Sequence, residues 1–249
     1  MTGLPRVGYV RARNLDEVLA ALREPGARIY AGGTDLLVAL KERRPSVAEV
    51  RLLVDIKSIT DARGVTEGAG ALRIGALTTA NELAIHPLVA RHAAALSEAA
   101  AGTASPALRH RATVGGNLTT PHPAGDVATA LLALDATVEM VSADGERTDV
   151  PVYRLLGRPD SGRTFSLLVA VRVALGANSA YEKMGLRRGF SRARAAVAVS
   201  RRQGELRIAL AGRGERPRLV PDPAAGGMPL EQPNGALLAR ALQRIGADS

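Results

Sequence analysis

The chain has 249 residues, 46% of them hydrophobic, which is enough for one large domain or two modest ones. No run of about 18 apolar residues occurs, and Pro5, Arg6, Arg11 and Arg13 interrupt the N-terminal stretch, so neither a membrane span nor a secretory signal is expected and the location expected is cytoplasmic. There are no cysteines, which excludes disulfides and any cysteine-held iron–sulfur cluster in this chain.

The histidines, His86, His92, His110 and His122, show no metal-ligand spacing, so no metal site is expected. A net charge of +9 invites a nucleic-acid reading. Against it, the charge is nearly all arginine and spread along the chain, with Lys41, Lys57 and Lys183 the only lysines, and aromatics are 2%. Stacking platforms for single strands are therefore nearly absent. The arginine excess reads mainly as a composition bias, part of which could face anionic ligands or acidic partner subunits.

The first segment predicts strand, helix, strand. Asn14 can cap a helix carrying Leu15, Val18, Leu19 and Leu22, with Asp16 and Glu17 in its first turn. Residues 28–31 form a short strand; a second helix opens at Thr34 or Asp35 and closes at Pro45; residues 51–56 read as a buried strand. After the turn-rich stretch from Gly64 to Gly70, residues 72–76 are a strand. Thr78 or Thr79 then caps a helix, with Glu82 completing a capping box. A helix is expected over about 88–101 and another over 125–134, then a hairpin through Asp144-Gly145 and an apolar strand over 166–173. The last segment predicts helix or loop over 181–194, two strands at 196–200 and 206–210, irregular chain over 213–233, and a helix over 237–245.

Two segments carry the chemistry. Ala31-Gly32-Gly33-Thr34-Asp35 lies between a strand and a helix start, and Thr113-Val114-Gly115-Gly116-Asn117 again runs strand-like residues into a glycine pair. Glycine permits positive φ and close ligand approach, and successive free N–H groups can cradle a phosphate. Each alone reads first as an ordinary turn, the second with Asn117 in a left-handed conformation. Neither fits G-x-G-x-x-G or the P-loop pattern. Together, each beside hydroxyl or amide donors, they favour one diphosphate held between two loops.

At these residues the chain resembles a known family. Tyr30-Ala-Gly-Gly-Thr-Asp-Leu-Leu37 and Leu108-Arg-His-Arg-Ala-Thr-Val-Gly-Gly-Asn-Leu118 are similar to the two FAD motifs of the flavoprotein subunits of the xanthine dehydrogenase and carbon monoxide dehydrogenase family. Ile74-Gly-Ala-Leu-Thr-Thr79, Pro123-Ala-Gly-Asp126 and Ala130-Leu-Leu-Ala-Leu-Asp-Ala136 also match, and the resemblance covers about residues 5–200. It implies an α+β fold: a two-subdomain FAD-binding domain of the vanillyl-alcohol oxidase (PCMH) type over 1–176, with subdomains of about 1–57 and 58–176. A small antiparallel-sheet C-terminal domain over 177–249 follows, shorter than is usual in the family.

The resemblance further implies FAD as cofactor and no catalytic side chain. Ala31, Gly32, Gly33, Thr34, Asp35, Thr113, Gly115, Gly116 and Asn117 would hold the pyrophosphate. Thr120 and Asp126 would make further contacts, Asp126 toward the ribose or adenine. Leu168 matches an apolar flavin contact, and Lys183 a lysine near the isoalloxazine that Tyr181 could pack upon. A cation there would favour reduced, anionic flavin. The plain reading of these two is a core tyrosine and a solvated lysine. His122 reads as a loop or phosphate-side residue rather than a covalent attachment point. The implied partners are a large subunit with a molybdenum cofactor, a small subunit with [2Fe–2S] clusters, and an external acceptor: NAD, oxygen or a quinone. Other readings are a stand-alone flavin oxidase of the same fold, a structural subunit without flavin, and a basic nucleic-acid-binding protein.

Overall fold

Three sheets follow one another along the chain. The structure, a computed structural model, describes residues 5–120, 125–156, 167–185, 193–212, 215–222 and 230–246. The first sheet holds β1 (Gly8–Arg11), β2 (Ala27–Tyr30) and β3 (Leu52–Asp55) in the order β1-β3-β2, all parallel. Parallel neighbours need crossovers, and two helices supply them: α1 (Leu15–Leu22) and α2 (Leu36–Lys41). Asn14 caps α1 as expected, its side chain accepting from Glu17 N at 2.8 Å, and Val18, Leu19 and Leu22 are buried.

The second sheet is antiparallel, with β4 (Val65–Gly68), β5 (Ala71–Gly75), β6 (Thr137–Val141), β7 (Arg147–Pro151) and β8 (Leu167–Ala174) in the order β4-β5-β8-β6-β7. Between β5 and β6 run α3 (Ala80–Ile85), α4 (Pro87–His92), α5 (Ala94–Gly102), α6 (Pro106–Arg109), α7 (Val114–Thr119) and α8 (Asp126–Ala133). A further helix, α9 (Val152–Leu156), follows β7. Thr79 and Glu82 form the capping box of α3. Leu72, Ile74, Val138, Val171 and Val173 from the sheet share one core with Leu83, Leu96, Leu131 and the alanines of α5 and α8.

The third sheet, β12-β11-β10-β9, is an antiparallel meander of β9 (Asn178–Gly185), β10 (Ala193–Arg202), β11 (Glu205–Gly212) and β12 (Glu215–Val220), followed by α10 (Asn234–Arg244). On β10 the small residues Ala196 and Ala198 face the core of α5 and α8, while Val197 and Val199 face α10. The sheets change near residues 57 and 176, yet the cores run across those points. Val141, Leu167 and Val169 pack with α1, and Ala196 and Ala198 with α8.

Several local expectations are corrected. The stretch from 181, expected as helix or loop, is strand as far as Gly185, because Tyr181 and Lys183 pair with Ala198 and Ala196 of β10. Residues 215–220 are an edge strand rather than irregular chain, since Leu210 and Ala209 offer Arg218 and Leu219 a ladder. The supposed turn from Gly64 contains β4, with the reversal confined to Ala69 and Gly70 at φ 49 and 73°. The helix expected over 88–101 breaks at Ala93, whose φ of −148° separates α4 from α5. The glycine pair at 115–116 lies inside helix α7 rather than in a tight turn, and Asn117 is helical. His122, Ser166 and Gly189 to Arg192 lie outside the described residues. Among the described residues no helix is long and apolar enough to cross a membrane.

Candidate functional site

The first glycine segment leaves the carboxyl end of β2, the end of a parallel sheet where open α/β folds gather ligands. Gly33 has φ +74°, and a β-carbon there would also overlap the ring of Tyr30. A β-carbon at Gly32 would overlap the backbone carbonyl of Arg111. The Arg111 guanidinium turns back and donates to Gly32 O from Nε at 3.2 Å and Nη2 at 3.1 Å, and from Nη2 to the Tyr30 hydroxyl at 3.3 Å. The first glycine segment therefore lies against Arg111 and Ala112, the residues that lead into the second. Among the described residues, the N–H groups of Gly32, Gly33, Thr34 and Asp35 donate to no protein acceptor.

The second segment is used differently. Thr113 caps α7 by accepting from Gly116 N at 3.2 Å. Val114 N donates to Thr78 O at 3.0 Å, Gly115 N to Ala76 O at 2.9 Å and Asn117 N to Thr113 O at 2.9 Å. Its N–H groups are thus committed to the fold. Gly115 is glycine because Ala76 is there, 3.0 Å from where a β-carbon would stand. At Gly116, the neighbour of such a carbon among the described residues, apart from the helix's own backbone, is Thr113 Oγ1 at 3.0 Å. The Asn117 side chain accepts from Ala128 N at 3.2 Å and ties α7 to α8, while Thr120 ends α7, its N–H donating to Gly116 O at 3.0 Å. These features fit a phosphate group: N–H groups at 32–35 that meet no protein acceptor among the described residues, beside the glycine pair of α7.

A third group forms around Asp126, the first residue of α8 and 6% exposed. Its Oδ1 accepts from the Tyr181 hydroxyl at 2.6 Å and its Oδ2 from Lys183 Nζ at 2.8 Å; Lys183 also donates to Gly102 O at 2.9 Å. Burial first, then the Asp126 charge and hydrogen bond, push the Tyr181 phenol well above its usual range, so it stays a donor. Two expectations change. Tyr181 is a core residue with its hydroxyl committed, rather than a free surface for stacking. Asp126 and Lys183, expected toward opposite ends of a dinucleotide, occupy one place. Leu168 is 5% exposed and packs in the same core as Tyr181.

Beside the first segment sits a cluster that the sequence reading did not single out. Asp55, at the end of the central strand β3 and buried, pairs with Lys57 Nζ at 2.8 Å and accepts from the Tyr9 hydroxyl. Lys57 Nζ lies 3.7 Å from the centroid of the Tyr30 ring, which in turn packs on Gly33. Burial opposes ionisation of Asp55, but hydrogen bonds from Lys57 and Tyr9 outweigh it and hold the carboxyl below its ordinary value. The signal was present: Lys57 is one of the few lysines in an arginine-biased chain and stands two residues after strand β3.

The sequence profile described as the FAD binding domain in molybdopterin dehydrogenase matches residues 5–173. The chain is 32% identical over 222 residues to the carbon monoxide dehydrogenase medium chain of Hydrogenophaga pseudoflava, covering 83% of this chain and 74% of that one. It is 38% identical over 141 residues to the putative xanthine dehydrogenase FAD-binding subunit XdhB of Escherichia coli K12, covering 56% of this chain and 47%, about half, of that one. Among solved structures it is similar to carbon monoxide dehydrogenase from Hydrogenophaga pseudoflava lacking the Mo-pyranopterin moiety, with a TM-score of 0.81 at 28% identity, covering 97% of this chain and 85% of that chain.

Proposed function

The chain belongs to the family of FAD-binding domains of molybdopterin dehydrogenases, and from that membership we propose that it is the electron-transfer flavoprotein subunit of a molybdenum hydroxylase. Electrons pass from a molybdenum cofactor in a large partner, through [2Fe–2S] clusters in a small partner, to FAD on this chain and on to NAD, oxygen or a quinone. The organic substrate is handled by the large partner. Residues of about 1–57 and 58–176 form the two halves of the flavin domain, and 177–249 the C-terminal domain.

The observation that carries this reading is the contact of Gly32 with Arg111, two residues before the second glycine segment, beside 32–35 N–H groups that meet no protein acceptor among the described residues. The pyrophosphate lies between the two glycine segments, held by the 32–35 amides and the Thr34 hydroxyl, with Arg111 beside them. Ala31, Thr113, Gly115, Asn117 and Thr120 shape that cradle. The Asp126–Lys183 pair and Leu168 stand toward the flavin ring. Because Lys183 is paired, its cation is largely cancelled, and its pull on reduced flavin is smaller than a lone lysine would give. No side chain acts as nucleophile or general base.

The test is direct. Purified chain is expected to carry flavin absorbance or to take up added FAD, and to co-purify with two further chains when expressed with its neighbours. A colourless protein that also fails to bind added FAD would sink the reading. A flavin-loaded chain that oxidises an organic substrate by itself would favour a stand-alone oxidase.

A further inference from the structure

The grip on β9 lies outside every motif above. Tyr181 is held on both sides of its peptide: its N–H donates to Glu98 Oε2 at 2.9 Å, and its carbonyl accepts from Arg244 Nη1 at 3.3 Å. Glu98 stands on α5 and Arg244 is the last residue of α10. The two also pair with each other, and Arg244 Nη1 donates to Glu182 Oε1 at 3.1 Å. One turn earlier on α10, Arg240 reaches Glu182 Oε2 at 3.4 Å.

We propose that Glu98 and Arg244 are positioning residues for the Asp126–Lys183 pair, so that the last helix sets the flavin end of the cofactor site without touching it. This rests on the placement of that pair toward the flavin proposed above. Successive residues of a strand point to opposite faces. Glu182 faces α10 and is fixed there by Arg240 and Arg244; Tyr181 and Lys183 point the other way, toward Asp126. The strand is thus held from behind by the same helix whose Arg244, with Glu98, fixes the Tyr181 peptide. A small slide or roll of β9 would move both the phenol and the ammonium from the Asp126 carboxylate together. Supporting residues of this kind commonly matter by roughly tenfold or more at metal centres, and the same geometric reasoning applies here.

The experiment uses the full chain and free FAD as probe, with Arg244→Ala, Arg244→Lys and Asn178→Ala. Asn178 Nδ2 donates to Ile245 O at 3.0 Å, so it ties the same helix to the same strand without contacting Tyr181. Expected results are FAD binding weakened about tenfold in Arg244→Ala, a shifted flavin spectrum and midpoint potential, and recovery of most of both in Arg244→Lys. Asn178→Ala is expected to lower the melting temperature while leaving both flavin readouts in place. The inference is overturned if Arg244→Ala keeps the affinity and potential of the unsubstituted chain. It is also overturned if Asn178→Ala moves them equally for equal loss of stability. Failure of the unsubstituted chain to bind FAD would instead remove the functional reading itself, and this inference with it.

Discussion

Gly32 rests against the peptide of Arg111, so closely that any side chain at Gly32 would overlap the Arg111 carbonyl. This contact ties the first glycine segment to Arg111, 79 positions on in sequence and two residues before the second segment. Gly32→Ala is therefore a folding variant, with overpacking expected to cost roughly 1–3 kcal/mol and flavin lost as the segments separate. Gly116→Ala is the informative contrast. Among the described residues its β-carbon would meet the Thr113 hydroxyl, at 3.0 Å, and alanine is favoured inside a helix by about 1 kcal/mol. Urea unfolding should show a stable protein, while fluorescence titration should show FAD binding weakened at least about tenfold, the equivalent of 1.4 kcal/mol. Equal binding by Gly116→Ala and the unsubstituted chain would place the pyrophosphate elsewhere.

Asp126→Asn separates charge from shape. The amide still offers the Tyr181 hydroxyl an acceptor, but Lys183 Nζ, now 2.8 Å from a neutral group, is no longer cancelled. The flavin midpoint potential is expected to rise, because an unpaired cation favours the reduced, anionic form. Lys183→Met should move it the other way. Breaking a buried pair also costs about 3 kcal/mol of stability, so spectroelectrochemistry must be read on protein shown to be folded. A potential that stays put in Asp126→Asn would place the pair beyond the reach of the flavin.

Much of this site was legible in the sequence because its logic is local. Glycine pairs after a strand, hydroxyls beside them and a capping box at Thr79 are short-range signals, and the structure sets the first segment against the residues that lead into the second. The use of each segment was not legible. That the amides of 114–117 are consumed by Ala76, Thr78 and Thr113 depends on how β5 and α7 meet, which no spacing encodes. The strand β9 was hidden because Glu182 and Lys183 break the apolar alternation that marks a strand; their charges are met by Arg240, Arg244 and Asp126 from distant elements. Tertiary pairing overrode local pattern there.

Acid stability is expected to rest on Glu139. It is buried in the middle of the second sheet, 3.2 Å from Arg73 Nε and 2.9 Å from Arg172 Nη2, and it also pairs with Arg147. Burial opposes its ionisation, but the Arg147 hydrogen bond and the Arg73 charge outweigh burial and hold its carboxyl below the usual range. The hydrogen bond from Arg147 does the same for Asp61. In the window between the lowered folded values and the ordinary unfolded ones, the unfolded chain binds more protons, so stability rises with pH there. The contribution is complete above the ordinary carboxylate range of about 4 and is lost as pH falls through the folded values. Tyr181 acts in the opposite sense: its raised phenol supports the fold fully below about pH 10 and is lost on going higher. Urea unfolding across pH should show a plateau with falls on both sides. Glu139→Gln should lower the plateau by about 3 kcal/mol and flatten the acid limb; an acid limb of unchanged slope would assign acid sensitivity to other carboxylates.

Lys57 makes the last prediction, because it connects the stability of the first sheet to the glycine segment. Its ammonium is 2.8 Å from the buried Asp55 carboxylate and 3.7 Å from the centre of the Tyr30 ring, and that ring packs on Gly33. Lys57→Met keeps the volume of the side chain and removes the charge. Asp55 would retain the Tyr9 hydroxyl and the Lys57 backbone N–H at 2.9 Å, so the loss should be partial, about 2 kcal/mol. The Tyr30 ring would lose the cation that holds it over Gly33, and FAD release from the 31–35 segment should quicken. Lys57→Arg should restore part of both, since a guanidinium can lie over an aromatic face and still reach a carboxylate. Thermal melts and displacement of bound FAD by an excess of competing nucleotide separate the two effects. A Lys57→Met chain that melts earlier yet releases FAD at the unsubstituted rate would confine this cluster to folding and leave the glycine segment to hold its shape through Arg111 alone.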